Sequence, residues 1–413
     1  MKLLDRFATT KVHEALLDTP VVLLHGPRQC GKSTLARMIV SEKNYSYFTF
    51  DDEVQREAAQ NDPTGFILNL PEYVIIDEVQ RVPEIFFPLK SEIDRNRVPG
   101  RFVLTGSTNI LLLPTLSDSL AGRMEILRLH PFSQDEILGK PSRFLDRVFQ
   151  ADFRSGTGGE RLGTNLAERI VSGGFPAAID RPSYHRRQAW YRDYIETIVQ
   201  RDVRALARIS SLDALPRLLR LAAGQTAHLV NISEMASAFH LSRPTIQDYV
   251  TLLERIFLLE HLSPWHTNRL SRLIKSPKLH MTDTGLASAL LGATVETLSR
   301  DRALYGQMLE TFVFQELRKQ ASWYDVPIGF NHFRTKDGVE VDLVLEGGHS
   351  TLVGIEVKSA ASVSARDFRA LKKLQSASGD RFAAGIVLYD GEHIAPFGEK
   401  LYAVPLRMLW EME

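Results

Sequence analysis

The chain has 413 residues, 44% of them hydrophobic, with 50 lysines and arginines against 50 aspartates and glutamates. That length calls for two or three domains, and the balanced charge excludes a global field that would drive the molecule onto nucleic acid or an anionic membrane. The single cysteine, Cys30, excludes a disulfide framework and points to a reducing compartment. No signal-peptide core and no run of about eighteen apolar residues occurs, so a cytoplasmic protein without membrane contacts is expected.

Taken in order, the first informative stretch is Val21-Val22-Leu23-Leu24-His25, an apolar run that reads as a buried strand. It is followed by Gly26-Pro27-Arg28-Gln29-Cys30-Gly31-Lys32-Ser33 and then by a helical stretch from Thr34 to Val40. The spacing G-x-x-x-x-G-K-S between strand and helix is a P-loop. Glycines let the backbone wrap a polyphosphate, and the loop from Gly26 to Thr34 turns backbone N–H groups onto the phosphates of ATP at the positive end of the helix. Lys32 is expected to reach the β- and γ-phosphates and Ser33 to complete the shell of a Mg²⁺ ion. Cys30 lies inside this loop, where a small buried side chain and an oxidation switch are the two readings.

A second strand is expected at Tyr47–Phe50, ending in Asp51 and Asp52, and a third at Tyr73-Val74-Ile75-Ile76 closed by Asp77 and Glu78. The third has Walker B chemistry: Asp77 holds Mg²⁺ and Glu78 polarises the attacking water. Arg101 to Leu104 gives another buried strand, followed by Thr105, Ser107 and Asn109 as hydrogen-bond donors to the γ-phosphate or the lytic water. Ser107 is carried forward as the nucleotide contact, although spacing does not choose among the three. Arg123, before the final strand Glu125–Leu129, is a candidate for stabilising phosphoryl-transfer charge, in its own site or a neighbour's.

The P-loop, Asp77-Glu78, Thr105-Gly106-Ser107, Ala121-Gly122-Arg123 and Pro131-Phe132-Ser133 together resemble the AAA+-superfamily ATPases of bacteria and archaea that carry an uncharacterised nuclease-like C-terminal domain. Gly173-Gly174-Phe175-Pro176 and Arg201-Asp202-Val203 extend the resemblance along nearly the whole chain. It implies an ATP-hydrolysing core. It also implies that the helical stretch from about Leu162 to Ala223 forms a lid over the nucleotide, with Arg201, Asp202 and Arg204 as sensor candidates.

Within that stretch, Trp190, Tyr194 and Ile198 mark a buried helical stripe. Next, Ile232, Met235, Ala236 and Phe239, then Ile246, Tyr249, Val250 and Leu253, give two short amphipathic helices. Asn231 and Glu234 cap the first, and Ser242 and Pro244 start the second, as in a helix-turn-helix. Residues 256–262 and 278–281 would form the strands of a wing. His266, Arg269, Arg272, Lys275 and Lys278 would make that wing basic, able to track a DNA backbone or to serve as a protein–protein spacer.

Gly306–Leu317 reads as an amphipathic helix bearing Glu310. Val339–Leu345 and Thr351–Lys358 read as a hairpin, whose alternation sets Glu340 with Asp342 and Glu356 with Lys358. Asp342, Glu356-Val357-Lys358 and the helical Glu310 resemble the PD-(D/E)xK nuclease superfamily, with Val341 where that pattern has proline. The resemblance implies that Asp342, Glu356 and Glu310 hold one or two Mg²⁺ or Mn²⁺ ions and that Lys358 orients water. A solvated hairpin with an Asp342–Lys358 ion pair is the plainer alternative.

The expected architecture is therefore α/β, in four parts: a P-loop NTPase (AAA+-like) parallel-sheet core at 1–140, a helical lid at 160–225, a winged helix-turn-helix at 226–285, and a mixed α/β PD-(D/E)xK-like domain at 300–413. The expected function is Mg²⁺-dependent ATP hydrolysis coupled to a nuclease-like domain that engages DNA or RNA. The alternative is a regulatory or assembly ATPase, acting through a homo-oligomer or a protein partner, whose C-terminal domain is a catalytically inactive binding module.

Overall fold

The computed structural model describes residues 3–40, 44–108, 120–206, 214–266 and 276–413, with backbone alone at 40 and 200–206. The sensor candidates Asn109, Arg201, Asp202 and Arg204 and the basic residues Arg269, Arg272 and Lys275 lie outside the described side chains. The chain divides into two compact units, one of Asp5–Phe132 with Leu253–Leu258, the other of Ser133–Leu252 with Leu259–Glu413. Among the described residues no helix is long and apolar enough to cross a membrane.

The first unit is built on five parallel strands, β1 (Val21–His25), β2 (Ser46–Thr49), β3 (Val74–Asp77), β4 (Phe102–Gly106) and β5 (Met124–Arg128), in the order β2-β3-β4-β1-β5. The unbroken apolar runs of β1, β3 and β4 make sense because both faces of the sheet are covered. Successive side chains go to opposite cores. Val21, Leu23, Val74, Ile76, Phe102 and Leu104 pack with the helices α3 (Glu53–Asn61), α4 (Pro63–Leu68) and α5 (Phe86–Arg95). Val22, Leu24, Ile75 and Val103 pack with α1 (Thr9–Asp18) and α2 (Lys32–Val40).

The second unit has a ten-stranded sheet. Its strands are β6 (Gly156–Thr157), β7 (His228–Leu229), β8 (Leu259–Pro264), β9 (Lys278–Met281), β10 (Gly329–Arg334), β11 (Glu340–Glu346), β12 (Leu352–Lys358), β13 (Phe382–Tyr389), β14 (His393–Gly398) and β15 (Leu401–Pro405). Their order is β6-β14-β15-β13-β12-β11-β10-β8-β9-β7. Apart from Leu253–Leu258, the three expected domains after residue 160 fall in one compact unit. The two short helices appear as Ile232–Phe239 and Arg243–Arg255, the first capped by the Asn231 side chain accepting from the Glu234 amide at 3.2 Å. The expected wing strands do pair, Leu259 with Met281 through Leu262 with Lys278. They are not a free wing, however: the other edge of β8 pairs in parallel with β10, Ser263 with Asn331.

Two further expectations change. The stripe of the helix Tyr184–Leu206 centres on Tyr191, Tyr194, Ile195 and Ile198, with Trp190 half-buried and stacked on Tyr194 at 5.1 Å. The helix Arg302–Ala321 is buried nearly all round in its second half rather than amphipathic. Most of its buried polar side chains find partners, as burial favours, although Gln315 Oε1 and Gln320 Oε1 have none. Glu316 accepts from the Gln134 amide and the Lys319 ammonium, both at 2.7 Å, and Gln315 donates to the Met281 carbonyl at 3.1 Å. The Gly173-Gly174 pair serves packing: a Cβ on Gly173 would lie 2.3 Å from both Asp283 Oδ1 and the Tyr191 hydroxyl. The Gly174 amide donates to Asp283 at 2.7 Å.

Candidate functional site

The phosphate loop begins where β1 ends. Gly26 has φ 154° and Gly31 φ 106°, and a Cβ on Gly26 would lie 2.1 Å from the Leu129 carbonyl oxygen, so a side chain is excluded there. Lys32 opens α2 only 4% exposed, its ammonium donating to the carbonyls of Gly26 at 3.0 Å and Pro27 at 2.8 Å. Cys30 is fully buried with Sγ 3.3 Å from the Leu129 carbonyl, which favours the packing role over the oxidation switch. Arg28 is half-buried, and Gln29 and Thr34 are exposed along the loop and first turn.

The Ser33 hydroxyl donates to the Asp77 carboxylate at 3.0 Å, joining the start of α2 to the end of β3. Tyr47 and Thr105 also donate to Asp77, the former at 2.6 Å. Burial, and then the bond to Asp77, push the Tyr47 phenol up to about 12. Glu78 follows in a left-handed conformation, φ 60° and ψ 44°, its amide donating to the Thr105 hydroxyl at 3.1 Å. The Glu78 carboxylate accepts from Ser107 at 2.8 Å and from Gln80, which also donates to Ser107 at 2.9 Å. Thr105 is thereby spent on Asp77 and the Glu78 backbone, and Ser107 on Glu78. Tyr47 and Gln80 are not part of the expected site; the register of β2 with β3 brings Tyr47 to Asp77, and the turn Val79–Arg81 folds Gln80 back onto Glu78.

A hydroxyl and a carboxylate side by side, at the end of a glycine loop that carries a buried lysine, suit Mg²⁺ bound to nucleotide phosphates. Such an ion takes one or two protein oxygens and keeps the rest of its octahedron for water and phosphate.

Arg123 does not belong to this arrangement in its own chain. In the parallel pairing Val21 lies beside Met124 and His25 beside Arg128. Arg123 therefore precedes the end of β5 remote from the loop, four residues of about 3.3 Å each away along the strand. There it forms a two-pronged pair with Asp94, with Nη2 to Oδ2 at 3.0 Å, and donates to the Ala121 carbonyl at 3.1 Å. The arginine at the loop end is Arg128, whose guanidinium lies 5.2 Å from the centre of the Phe257 ring. Burial, then the charges of Arg128 and Lys32, hold the His25 imidazole down to about 3.

In the second unit the predicted hairpin is present, β11 against β12 with Leu343 opposite Ile355, so that continuing the register sets Asp342 opposite Glu356. Asp342 accepts from the Val357 amide at 2.8 Å, and Lys358 pairs with Glu356 at 2.9 Å rather than with Asp342. Glu310 reaches the same place from the helix Arg302–Ala321. Lys278, read from the sequence as a phosphate-tracking wing residue, is instead 2% exposed among these acids. Its ammonium lies 2.7 Å from Glu310 and 3.8 Å from Asp342, and is paired with Glu340 as well. Burial and the neighbouring Asp342 push Glu310 well above the ordinary carboxylate range and Glu356 up as well.

Among the described residues no group of three or more His, Cys, Asp or Glu side chains could hold a metal ion. The expected Mg²⁺ or Mn²⁺ set of Glu310, Asp342 and Glu356 therefore does not fit. The Lys278 ammonium takes one oxygen of Glu310 and stands 3.8 Å from one of Asp342, whose other oxygen accepts from Val357, and Lys358 takes one oxygen of Glu356, whose Oε2 stays buried without a hydrogen-bond partner.

Residues 18–138 match the AAA domain family, and residues 163–297 and 305–409 match two domains of unknown function, DUF8612 and DUF4143. The "Uncharacterized protein Mb2031c" of Mycobacterium bovis and the "Uncharacterized protein Rv2008c" of Mycobacterium tuberculosis are each 31% identical over 404 residues, covering 97% of this chain and 83% of theirs. Among solved structures, the Walker-type ATPase PABY2304 of Pyrococcus abyssi is 15% identical, over 70% of this chain and 96% of that one, with a TM-score of 0.44. The RuvB Holliday junction branch migration motor of Thermotoga maritima is 19% identical, over 61% and 88%, with a TM-score of 0.30.

Proposed function

Since this chain belongs to the family of the mycobacterial proteins Mb2031c and Rv2008c and carries an AAA-type ATPase domain, we propose that it binds and hydrolyses ATP through Lys32, Ser33, Asp77 and Glu78, and that nucleotide state governs a C-terminal unit acting as a binding module rather than a nuclease. The observation that carries the first part is the Ser33–Asp77 bond of 3.0 Å, with the preceding residue, Lys32, holding its buried ammonium on the carbonyls of the loop.

In this reading the loop amides and Lys32 receive the β- and γ-phosphates, the ammonium exchanging the Gly26 and Pro27 carbonyls for phosphate oxygens. Mg²⁺, held by Ser33 and through Asp77, supplies neutralisation of the phosphate charge. Glu78 accepts a hydrogen bond from the attacking water and orients it. Ser107 and Gln80 fix its carboxylate, acting as positioning residues. The Lys278 ammonium among Glu310, Glu340 and Asp342 supports the second part, because it stands where metal-assisted phosphodiester cleavage would need a divalent ion.

The test compares ATP binding and turnover in wild type, Lys32→Ala and Glu78→Gln. Lys32→Ala should lose both, while Glu78→Gln should keep binding and lose about 10²–10⁴-fold in turnover. Undiminished turnover in Lys32→Ala would sink the assignment. Incubation with linear, branched and single-stranded DNA and RNA in Mn²⁺ should leave every substrate intact; cleavage lost in Asp342→Ala would restore the nuclease reading. Sizing of Glu78→Gln with and without ATP reads out the change in assembly or partner state.

A further inference from the structure

The acidic site of the second unit is assembled from distant pieces of chain: Lys278 from β9, Glu310 from the helix Arg302–Ala321, and Glu340 and Asp342 from β11. A lysine ammonium buried this deeply costs several kcal/mol unless it is paired, and so do carboxylates gathered without a cation. Each half of this site therefore needs the other. The geometry suits lysine in particular. An ammonium offers three donors in a tetrahedral spread to acceptors approaching from different elements, whereas a guanidinium fork would favour a single planar carboxylate.

The remaining acid is served by the protein through one oxygen, Glu356 Oε1 accepting from Lys358 at 2.9 Å, while its buried Oε2 has no hydrogen-bond partner. The field of Lys278 reaches further. After burial, its charge is the next cause holding the imidazoles of His280 and His332 below their usual range, His332 down to about 4.

We propose that Lys278 is the resident cation of this acidic site, so that the second unit balances its carboxylates internally and holds no divalent ion there. This rests on the reading of that unit as a binding module and gives it a cause: β9 already places a positive charge where a metal would stand, and Arg334 adds a second on Glu340 at 3.1 Å. It also predicts a latent metal site, uncovered by removing the ammonium.

Mn²⁺ titration of the nucleotide-free full chain, followed by the EPR signal of free Mn²⁺, tests this in wild type, Asp342→Asn, Lys278→Met and the Lys278→Met/Asp342→Asn double variant. Wild type and Asp342→Asn should bind the same number of ions. Lys278→Met, which keeps an apolar stem of similar length, should gain one, and the double variant should lose it again. An ion bound by wild type and lost in Asp342→Asn overturns the proposal, and that comparison decides the matter even where Lys278→Met fails to fold. A folded Lys278→Met protein that gains no ion also overturns it. Cleavage of nucleic acid is read separately, so failure of the binding-module reading and failure of the resident-cation proposal give different results.

Discussion

His25 ends β1 immediately before the phosphate loop, 5% exposed, edge-on to Phe257 with ring centroids 5.6 Å apart. Its Nδ1 has no hydrogen-bond partner. Burial first, then Arg128 and Lys32, lower its pKa from 6.5 to about 3. The folded unit thus binds this proton more weakly than the unfolded chain does, and the stability involved is complete above pH 6.5 and lost as pH falls toward 3. Between pH 7.5 and 5 the loss from this one group is about 2 kcal/mol, or about 30-fold in an opening equilibrium. His25→Phe keeps an aromatic ring against Phe257 and removes the titration. Hydrogen exchange of the β1 and β4 amides, corrected for intrinsic rates, reads the opening of this unit alone. Protection in wild type should fall about 30-fold further between pH 7.5 and 5 than in His25→Phe. Equal pH dependence in the two proteins would refute the buried neutral imidazole.

Three more outcomes follow from the same geometry. Gly26→Ala would force a Cβ to within 2.1 Å of the Leu129 backbone oxygen; it should destabilise the first unit by about 1–3 kcal/mol and weaken ATP binding together, seen in denaturant melts and nucleotide titration. Arg101 and Glu92 form a buried pair at 2.8 Å, 8% and 11% exposed, so Arg101→Met, which leaves Glu92 only the exposed Arg95 at 3.5 Å, should cost about 1–3 kcal/mol by the same melts. Cys30 is fully buried, so the native protein should not react with a thiol reagent until denatured, and rapid native labelling would revive the oxidation switch.

The phosphate loop and the Asp77-Glu78 pair were legible because each is a contiguous stretch whose chemistry depends on its own backbone. Strand, glycine loop and helix follow one another directly from Val21 to Val40. The hairpin that sets Asp342 against Glu356 was legible for the same reason, its strands being joined by a short turn. Whether Arg123 serves its own chain's site was not legible, because residue type says nothing about which end of a strand faces a ligand. Only the pairing of Met124 with Val21 shows that Arg123 and the loop lie at opposite ends of the sheet.

The wing was misread on similar grounds. A local antiparallel pair looks the same whether or not its outer edge is taken, and the partner of β8 is β10, far along the chain. Lys278 and Glu310 are 32 residues apart, and their meeting depends on a helix packing over a sheet whose strand order no local pattern encodes. The phosphate loop and its acidic partner strand can be read from the chain alone, because they are held in short-range backbone geometry. Tertiary structure alone decided that the C-terminal acids are met by an ammonium, because charge compensation in a buried site depends on which distant side chains share it.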